Sequence, residues 1–138
     1  ARTRHLTASR PWLVVTSNRI GPTGNDLYYP SHSRLSDDGG KTWSPPEQIA
    51  DRGVCPSVIT MSNGILVCTY SRPGNWLLFS DDNGKSWKGA FQFGAGGATN
   101  FVEETAPDQI QVYYEVGENN LEELWGTFFT VLRKDLDK

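Results

Sequence analysis

Two arginines end two similar stretches of this chain, Arg19 in WLVVTSNR (12–19) and Arg72 in ILVCTYSR (65–72). A guanidinium group forms two parallel charge-assisted hydrogen bonds with a planar carboxylate. Arginines at matched positions therefore predict a site for a carboxylate-bearing ligand. The alternative is that these loop arginines are solvated or paired with a nearby acid, which is the commoner fate of such side chains.

An eight-residue motif occurs twice, as SDDGGKTW at 36–43 and as SDDNGKSW at 80–87, which begins 44 residues later. The carboxylate at its third position can accept backbone N–H groups and close an Asx turn. The glycine at its fifth position tolerates a positive φ, and the final tryptophan is expected to pack between sheets. The motif therefore predicts a turn with a structural role. Its structural residues are Ser36, Asp38, Gly40, Trp43, Ser80, Asp82, Gly84 and Trp87.

Short β-branched or aromatic runs bounded by turns fill the chain, and helical periodicity is almost absent. Residues 56–61 and 65–70 predict a hairpin around the Asn63-Gly64 turn. Aligned on the motifs, the chain divides into about three units of roughly 44 residues, a period typical of four-stranded propeller blades. The units are about 1–50, 51–94 and 95–138. The sequence predicts an all-β fold: a partial β-propeller of about three four-stranded antiparallel blades, forming one half-propeller domain over residues 1–138.

Composition and charge limit the classes of partner. The 138 residues carry a net charge of −3 and are 37% hydrophobic, which suits one folded domain. No basic block occurs, so no nucleic acid or membrane partner is expected, and no apolar run approaches the roughly 20 residues of a transmembrane helix. The opening ARTRHLTASR lacks the apolar run of a signal peptide. The motifs lack the later ligands of an EF-hand loop, so no metal or cofactor is expected.

The two cysteines flank the predicted hairpin turn. Cys68 is expected to pair near Val58 and Cys55 near Ser71, which leaves the two sulfurs several residues out of register. A disulfide requires Cα atoms within about 7 Å of each other, so both thiols are expected to be free. Cys55 is expected to be a small buried residue near the axis of the fold.

The two motifs match the pattern Ser-x-Asp-x-Gly-x-Thr/Ser-Trp, and the chain resembles the bacterial neuraminidase repeat, or Asp box, of sialidase-like β-propellers. The ending LWGTFFTVLR (124–133) is similar to the last strand of six-bladed members. The resemblance covers nearly all of the chain but about half of such a propeller, and it implies the C-terminal half. Because three blades do not easily close a ring, it further implies either a missing N-terminal half or a homodimer that completes a six-bladed ring.

The resemblance also implies where a ligand binds, because the family's sugar site lies on the face opposite the Asp boxes. Carried onto this chain by the direction of its strands, that face supplies the predicted glycan-binding residues. These residues are Arg72, Arg19, Arg52, Trp76 and Asn100. Sialic and uronic acids carry the carboxylate that arginines suit, and Trp76 or Tyr70 could stack on a sugar face. The alternative for Trp76, at the start of a strand, is a place in the core.

Catalysis in the family uses a tyrosine nucleophile, its glutamate partner and an aspartic acid. The stretch aligned with the family's tyrosine is GATNF (97–101) and contains no tyrosine. Tyr113 and Tyr114 lie on the next strand, where a structural role is expected, while Glu103 or Glu104 could line the axis. The catalytic residues are therefore left unassigned.

Three functions remain open at the level of sequence. The first is glycan handling with hydrolysis of a carboxylate-bearing sugar, as the resemblance implies. The second is a non-catalytic carbohydrate-binding module, and the third is a protein-interaction module, since Asp boxes also occur in propellers that bind proteins. The missing tyrosine favours binding over strict sialidase chemistry, and the matched arginines favour a glycan over a protein partner. The family analogy favours a secreted or periplasmic location.

Overall fold

The computed structural model describes residues 12–17, 30–71, 74–95, 100–118 and 121–137, and within these ranges the protein is built from antiparallel β-sheets. In chain order the elements are β1 (Trp12–Ser17), β2 (Ser31–Ser36), β3 (Glu47–Ala50), β4 (Val54–Thr60), β5 (Leu66–Ser71), β6 (Asn75–Ser80), β7 (Lys88–Gly94), β8 (Asn100–Ala106), β9 (Gln109–Glu118), β10 (Leu121–Thr130) and the short helix α1 (Arg133–Leu136). The predicted all-β class is confirmed.

Three sheets form in chain order, and each pairs strands that follow one another in sequence. Sheet 1 has the order β1-β2-β3, sheet 2 the order β4-β5-β6-β7, and sheet 3 the order β10-β9-β8. Sheet 2 has the four strands expected of a blade, while sheets 1 and 3 each have three strands within the described residues. The two motifs occupy equivalent places, since each joins the last two strands of its sheet, β2 to β3 or β6 to β7.

The predicted hairpin forms between β4 and β5. The Met61 backbone N–H donates to the Ile65 carbonyl at 2.8 Å, and the Asn63 side-chain oxygen accepts from the Ile65 N–H at 3.0 Å. Gly64 has a φ of +85°, a conformation that glycine adopts without steric cost. Local turn chemistry therefore sets the register that pairs Val58 with Cys68.

Sheet 2 is the middle layer, because both of its faces are covered. Leu77 on β6 belongs to a core cluster shared with sheet 3, whereas the next residue, Leu78, belongs to a cluster that includes Ile49 and Ala50 of sheet 1. Alternation along a strand sends successive side chains to opposite faces, which explains how neighbouring leucines serve two cores. The core shared by sheets 2 and 3 contains Met61, Ile65, Val67, Leu77, Val102, Ile110, Val112 and Val131.

The segment after β10 returns to sheet 2. The Val131 N–H donates to the Asp108 carbonyl at 2.8 Å, and the Asn63 amide donates to the Val131 carbonyl at 3.1 Å. The Arg133 guanidinium donates to the carbonyls of Asn63 and Asp81, each at 3.1 Å. This arginine therefore connects α1 to both the β4–β5 turn and the second motif.

The free state of both cysteines is confirmed, but the burial expected for Cys55 is wrong. Cys55 is exposed and has a φ of +51°, and the register of β4 against β5 shifts between Val54 and Ser57. A residue within such a bulge leaves the regular alternation and can turn outward. Cys68 is buried, and burial raises the pKa of its thiol to about 12.

The two motif tryptophans differ in their surroundings. Trp87 is half-buried against the cluster of Cys68, Tyr70 and Leu78, as the sequence predicts. Trp43 remains 36% exposed, with its indole N–H donating to the Gly40 carbonyl at 3.1 Å. The prediction that Trp43 is packed between sheets is therefore wrong for the residues described. Within the same residues, no helix is long and apolar enough to cross a membrane.

Candidate functional site

Both motifs fold into the predicted turn, held by one aspartate each. Asp38 accepts hydrogen bonds from the Ser36 hydroxyl at 2.8 Å, from the Thr42 N–H at 2.9 Å and from the Thr42 hydroxyl at 2.5 Å. Asp82 repeats the pattern with the Ser80 hydroxyl at 2.8 Å and the Ser86 hydroxyl at 2.6 Å. The carboxylates of both aspartates are therefore committed to hydrogen bonds within their own turns.

The glycines complete these turns. Gly40 has a φ of +86° and its N–H donates to the Ser36 hydroxyl at 2.8 Å. Gly84 has a φ of +84° and bonds the Ser80 hydroxyl at the same distance. No group of three or more potential metal-ligating side chains occurs in the part of the chain that the structure describes.

The motif aspartates have lowered pKa values. Hydrogen bonds from the Thr42 side chain, the Thr42 N–H and the Ser36 hydroxyl lower the pKa of Asp38 from 3.8 to about 2. Partial burial works to raise the pKa of Asp82, but hydrogen bonds from Ser86 and Ser80 outweigh it and the net direction is also downward. Each turn is therefore built for an ionised carboxylate.

Acid should weaken the first motif through Asp38. Its folded pKa lies below the ordinary value, so its stabilising effect is complete above about pH 4 and is lost as the pH falls toward 2. We expect an Asp38→Asn variant to unfold at a lower temperature than wild type at pH 7, and the difference to shrink between pH 4 and pH 2. Circular-dichroism melting curves across this range measure the effect. Asp37→Asn removes the same charge from the same turn and is the control; parallel pH profiles for wild type and Asp38→Asn would contradict the assignment.

Two predicted binding residues, Arg52 and Trp76, line one groove between sheets 1 and 2, together with Tyr70. The groove has a volume of about 500 Å³ and is open to solvent. It lies between β3, the last strand of sheet 1, and strands β5 to β7 of sheet 2. Its lining residues are Gln48, Ile49, Ala50, Asp51, Arg52, Tyr70, Trp76 and Ala90.

An aromatic pair forms one wall of the groove. Tyr70 and Trp76 are cross-strand partners on β5 and β6, and their rings are nearly parallel, at 6° and with centroids 6.3 Å apart. Tyr70 is buried and Trp76 is half-buried, so Trp76 is the more accessible member of the pair. Burial, with smaller contributions from Cys68 and Asp51, raises the pKa of Tyr70 to about 12, and its phenol therefore stays neutral.

Polar groups line the rim on the side of sheet 1. Arg52 and Asp51 are exposed and lie in the connection from β3 to β4. The Gln48 amide donates to the Asp51 carboxylate at 2.9 Å, which orients that acid. The groove thus combines a flat apolar surface with one cation, one carboxylate and one amide. Gln48 and Asp51 were not singled out from the sequence, because β3 is short and polar and carries no motif.

The remaining predicted binding residues are Arg19, Arg72 and Asn100. Arg19 and Arg72 lie outside the described residues. Asn100 begins β8 and is buried, with its amide donating to the Asn75 side-chain oxygen at 3.0 Å. It therefore occupies the interior next to sheet 2 and does not line the groove.

A tyrosine–glutamate pair occurs elsewhere, on sheet 3. The Tyr113 hydroxyl donates to Glu103 at 2.6 Å, and the Phe101 ring stacks on Tyr113 with centroids 4.6 Å apart. The hydrogen bond to Glu103 raises the pKa of Tyr113, which keeps the phenol protonated. A nucleophile requires the opposite shift. Glu104, at the next position, accepts from both the Ser62 N–H and the Ser62 hydroxyl at 2.7 Å.

Comparisons with known proteins find a repeat that matches both aspartate-centred turns and solved structures with a similar arrangement of sheets. The protein-family profile described as BNR/Asp-box repeat matches residues 34–45 and 78–88. The structure of a Hadza microbial sialidase, Hz136, is similar over 83% of this chain and 28% of its own, with a TM-score of 0.58 and 19% identity. A protein of unknown function from Dyadobacter fermentans DSM 18053 is similar over 91% of this chain and 38% of its own, with a TM-score of 0.59 and 19% identity.

This chain spans 28% and 38% of the lengths of those two structures, and at such identity the likeness is one of fold. A search of curated proteins finds no match. The family profile covers both aspartate-centred turns, and the sheets that carry them align with those of a sialidase. The chain therefore carries two copies of the BNR/Asp-box repeat, on sheets whose fold is similar to that of a sialidase.

Proposed function

We propose that the three sheets are blades of a sialidase-like β-propeller and that the groove of Arg52, Tyr70 and Trp76 binds a carboxylate-bearing sugar. The observation that carries this proposal is the convergence of an exposed arginine and a half-buried tryptophan in one groove. Pockets for small ligands are mostly apolar with a few polar groups, and typically measure about 300–1,000 Å³. The volume of this groove, about 500 Å³, falls in that range.

Each side chain has a defined task in this proposal. The indole of Trp76 presents a flat apolar surface to the C–H face of a sugar ring. Arg52 supplies a planar fork of donors that matches a carboxylate. The Asp51 carboxylate, oriented by Gln48, accepts hydrogen bonds from sugar hydroxyls. Together these groups favour an acidic sugar, such as a sialic or uronic acid, over a neutral one.

The residues that line the groove support binding of a sugar without its hydrolysis. Most glycosidases use two carboxyl groups that flank the scissile bond, and sialidases use a tyrosine nucleophile. Among the described residues that line the groove, Asp51 is the one carboxylic acid. Tyr70 is buried and its pKa is raised to about 12, so its phenolate is scarce at neutral pH. Hydrolysis is the second candidate, and it requires groups outside this groove.

Titration of the purified chain with N-acetylneuraminic acid, glucuronic acid and neutral galactose tests the proposal. We expect the two acids to bind more tightly than galactose. Trp76→Ala should weaken all three by about tenfold, which corresponds to about 1.4 kcal/mol, because every ring loses its stacking surface. Arg52→Gln should weaken the two acids by about tenfold and leave galactose unchanged, because only the acids carry a carboxylate.

Two matched variants control for general effects. Trp125→Ala removes an exposed tryptophan from sheet 3, and Lys134→Ala removes an exposed cation from α1, both outside the groove. Neither should change binding, and all variants should keep the wild-type circular-dichroism spectrum. If wild type binds no sugar at millimolar concentration, or if Arg52→Gln weakens acidic and neutral sugars equally, the proposed function is wrong.

A further inference from the structure

Sheet 3 has one face without a partner among the described residues. Register pairs Phe101 with Tyr113, Leu124 with Glu115 and Phe128 with Gln111, which puts these side chains on one side of the sheet. The opposite side, with Ile110 and Val112, packs on sheet 2. We call the first side the open face of sheet 3. Phe101, Leu124 and Phe128 are 48%, 71% and 64% exposed there.

An exposed group of large apolar side chains on one sheet face marks an interaction surface. Acidic groups accompany the apolar ones. Glu103 and Glu115 lie on the same side of β8 and β9 as Phe101 and Tyr113. A partner for this face therefore needs apolar area together with positive charge.

The far side of sheet 1 carries the complementary charge. Ser31 on β2 points toward sheet 2, since its hydroxyl oxygen would lie 2.8 Å from a Cβ built on Gly53, next to the ring of Tyr70. The buried Ser33 alternates with the exposed Arg34, so Arg34 lies on the other side of β2. We call this side the outer face of sheet 1. Because sheet 2 lies between sheets 1 and 3, the outer face of sheet 1 and the open face of sheet 3 are at opposite ends of the stack of described sheets.

We propose that the open face of sheet 3 packs on the outer face of sheet 1 of a second copy of this chain, and that the reciprocal contact closes a two-fold ring of six sheets. In two copies related by a two-fold axis, the open face of sheet 3 and the outer face of sheet 1 cover each other twice. A closed assembly of this kind leaves neither face exposed to solvent. The Arg34 guanidinium of one copy meets the carboxylate-bearing face of the other, and charge complementarity of this kind orients protein interfaces. Six blades lie within the range of about four to eight that propellers adopt. This inference is independent of the groove and of its ligand.

Light scattering on a size-exclusion column tests the inference. We expect wild type to have twice the monomer mass of 15.4 kDa over a hundredfold range of concentration. Arg34→Glu and Glu115→Lys each place like charges across the proposed contact, which the ring contains twice. Each should raise the dimer dissociation constant at least a hundredfold, so that the mass of each variant falls to that of the monomer at the lowest concentrations, where wild type stays dimeric. Phe128→Asp should do the same by removing apolar contact.

The mixture of Arg34→Glu with Glu115→Lys is the decisive measurement. In a mixed ring one contact joins the two substituted side chains, a new carboxylate facing a new ammonium group, and the other contact is wild type. The equimolar mixture should therefore recover the dimer although each variant alone does not. Lys134→Glu, a charge reversal on the exposed α1, should leave wild type dimeric. Circular dichroism confirms that each variant is folded.

A wild-type mass near 15.4 kDa at every concentration would overturn the proposal, and would assign the open face to some other partner. A mixture that stays monomeric would also overturn it, because the two faces then do not meet. A mass that grows with concentration beyond the dimer would show open stacking instead of a closed ring.

Discussion

Replacement of Leu77 by alanine is expected to lower the free energy of unfolding by about 2–5 kcal/mol, the range measured when a fully buried leucine is truncated. Leu77 is 0% exposed and lies on β6, in the middle sheet, where it joins the cluster that sheets 2 and 3 share. The surrounding side chains come from both sheets, so they collapse only partly into the space left behind. A small domain has about 5–15 kcal/mol of stability in total, and this single change removes a large fraction of it.

Chemical denaturation followed by tryptophan fluorescence measures the loss. Leu124→Ala is the matched control, because the same truncation is made at a leucine that is 71% exposed. When both substitutions are made in the Phe128→Asp chain, which is expected to be monomeric, Leu124→Ala should stay within about 0.5 kcal/mol of Phe128→Asp alone. Equal losses for the two variants would mean that the Leu77 cluster is not the main core.

The features that were predictable from sequence rest on contacts between near neighbours in the chain. Every hydrogen bond that Asp38 accepts comes from a residue within four positions, so eight residues of sequence contain the whole turn. The β4–β5 hairpin is equally local, because Asn63 and Gly64 supply the turn and the flanking alternation supplies the pairing. Because the motif recurs at residues 80–87, these local predictions together also indicated a repeated all-β fold.

The features that were not predictable depend on neighbours distant in sequence. Trp43 and Trp87 hold the same motif position, yet Trp87 packs on a neighbouring cluster while Trp43 stays 36% exposed. Nothing in the eight residues of the motif encodes that difference. The predicted burial of Cys55 was wrong because a bulge interrupts the alternation of β4. No residue type in that stretch of sequence indicates a bulge.

The candidate site could be predicted only in part from the sequence. Arg52 and Trp76 could be singled out individually, from the chemistry of a guanidinium and of an indole. Their meeting in one groove could not, because it depends on how β3 of sheet 1 packs across β5 and β6 of sheet 2. The rim residues Gln48 and Asp51 enter the site through the same packing.

The aromatic wall of the groove packs against a glycine, and Gly53→Ala is expected to lower both stability and ligand binding. A Cβ built on Gly53 would lie 2.6 Å from the Tyr70 ring and 2.8 Å from the Ser31 hydroxyl oxygen. Tyr70 and Ser31 are both buried, so neither can move outward into solvent. Overpacking of this kind costs about 1–3 kcal/mol. Because Tyr70 stacks on Trp76, displacement of its ring also tilts the indole that faces the ligand.

Gly126→Ala separates this contact from the general effect of adding a methyl group to a sheet. The atom nearest to a Cβ on Gly126 is the Gln111 side-chain nitrogen at 2.9 Å, the far end of a flexible chain that can rotate away. We expect Gly126→Ala to stay within about 0.5 kcal/mol of wild type and to bind sugars normally. Gly53→Ala should lose stability in denaturant and change the tryptophan emission maximum, with weaker binding of acidic and neutral sugars alike. Stability and emission that match those of Gly126→Ala would show that the Tyr70 ring is not held against the backbone at Gly53, and would contradict this account of the aromatic wall.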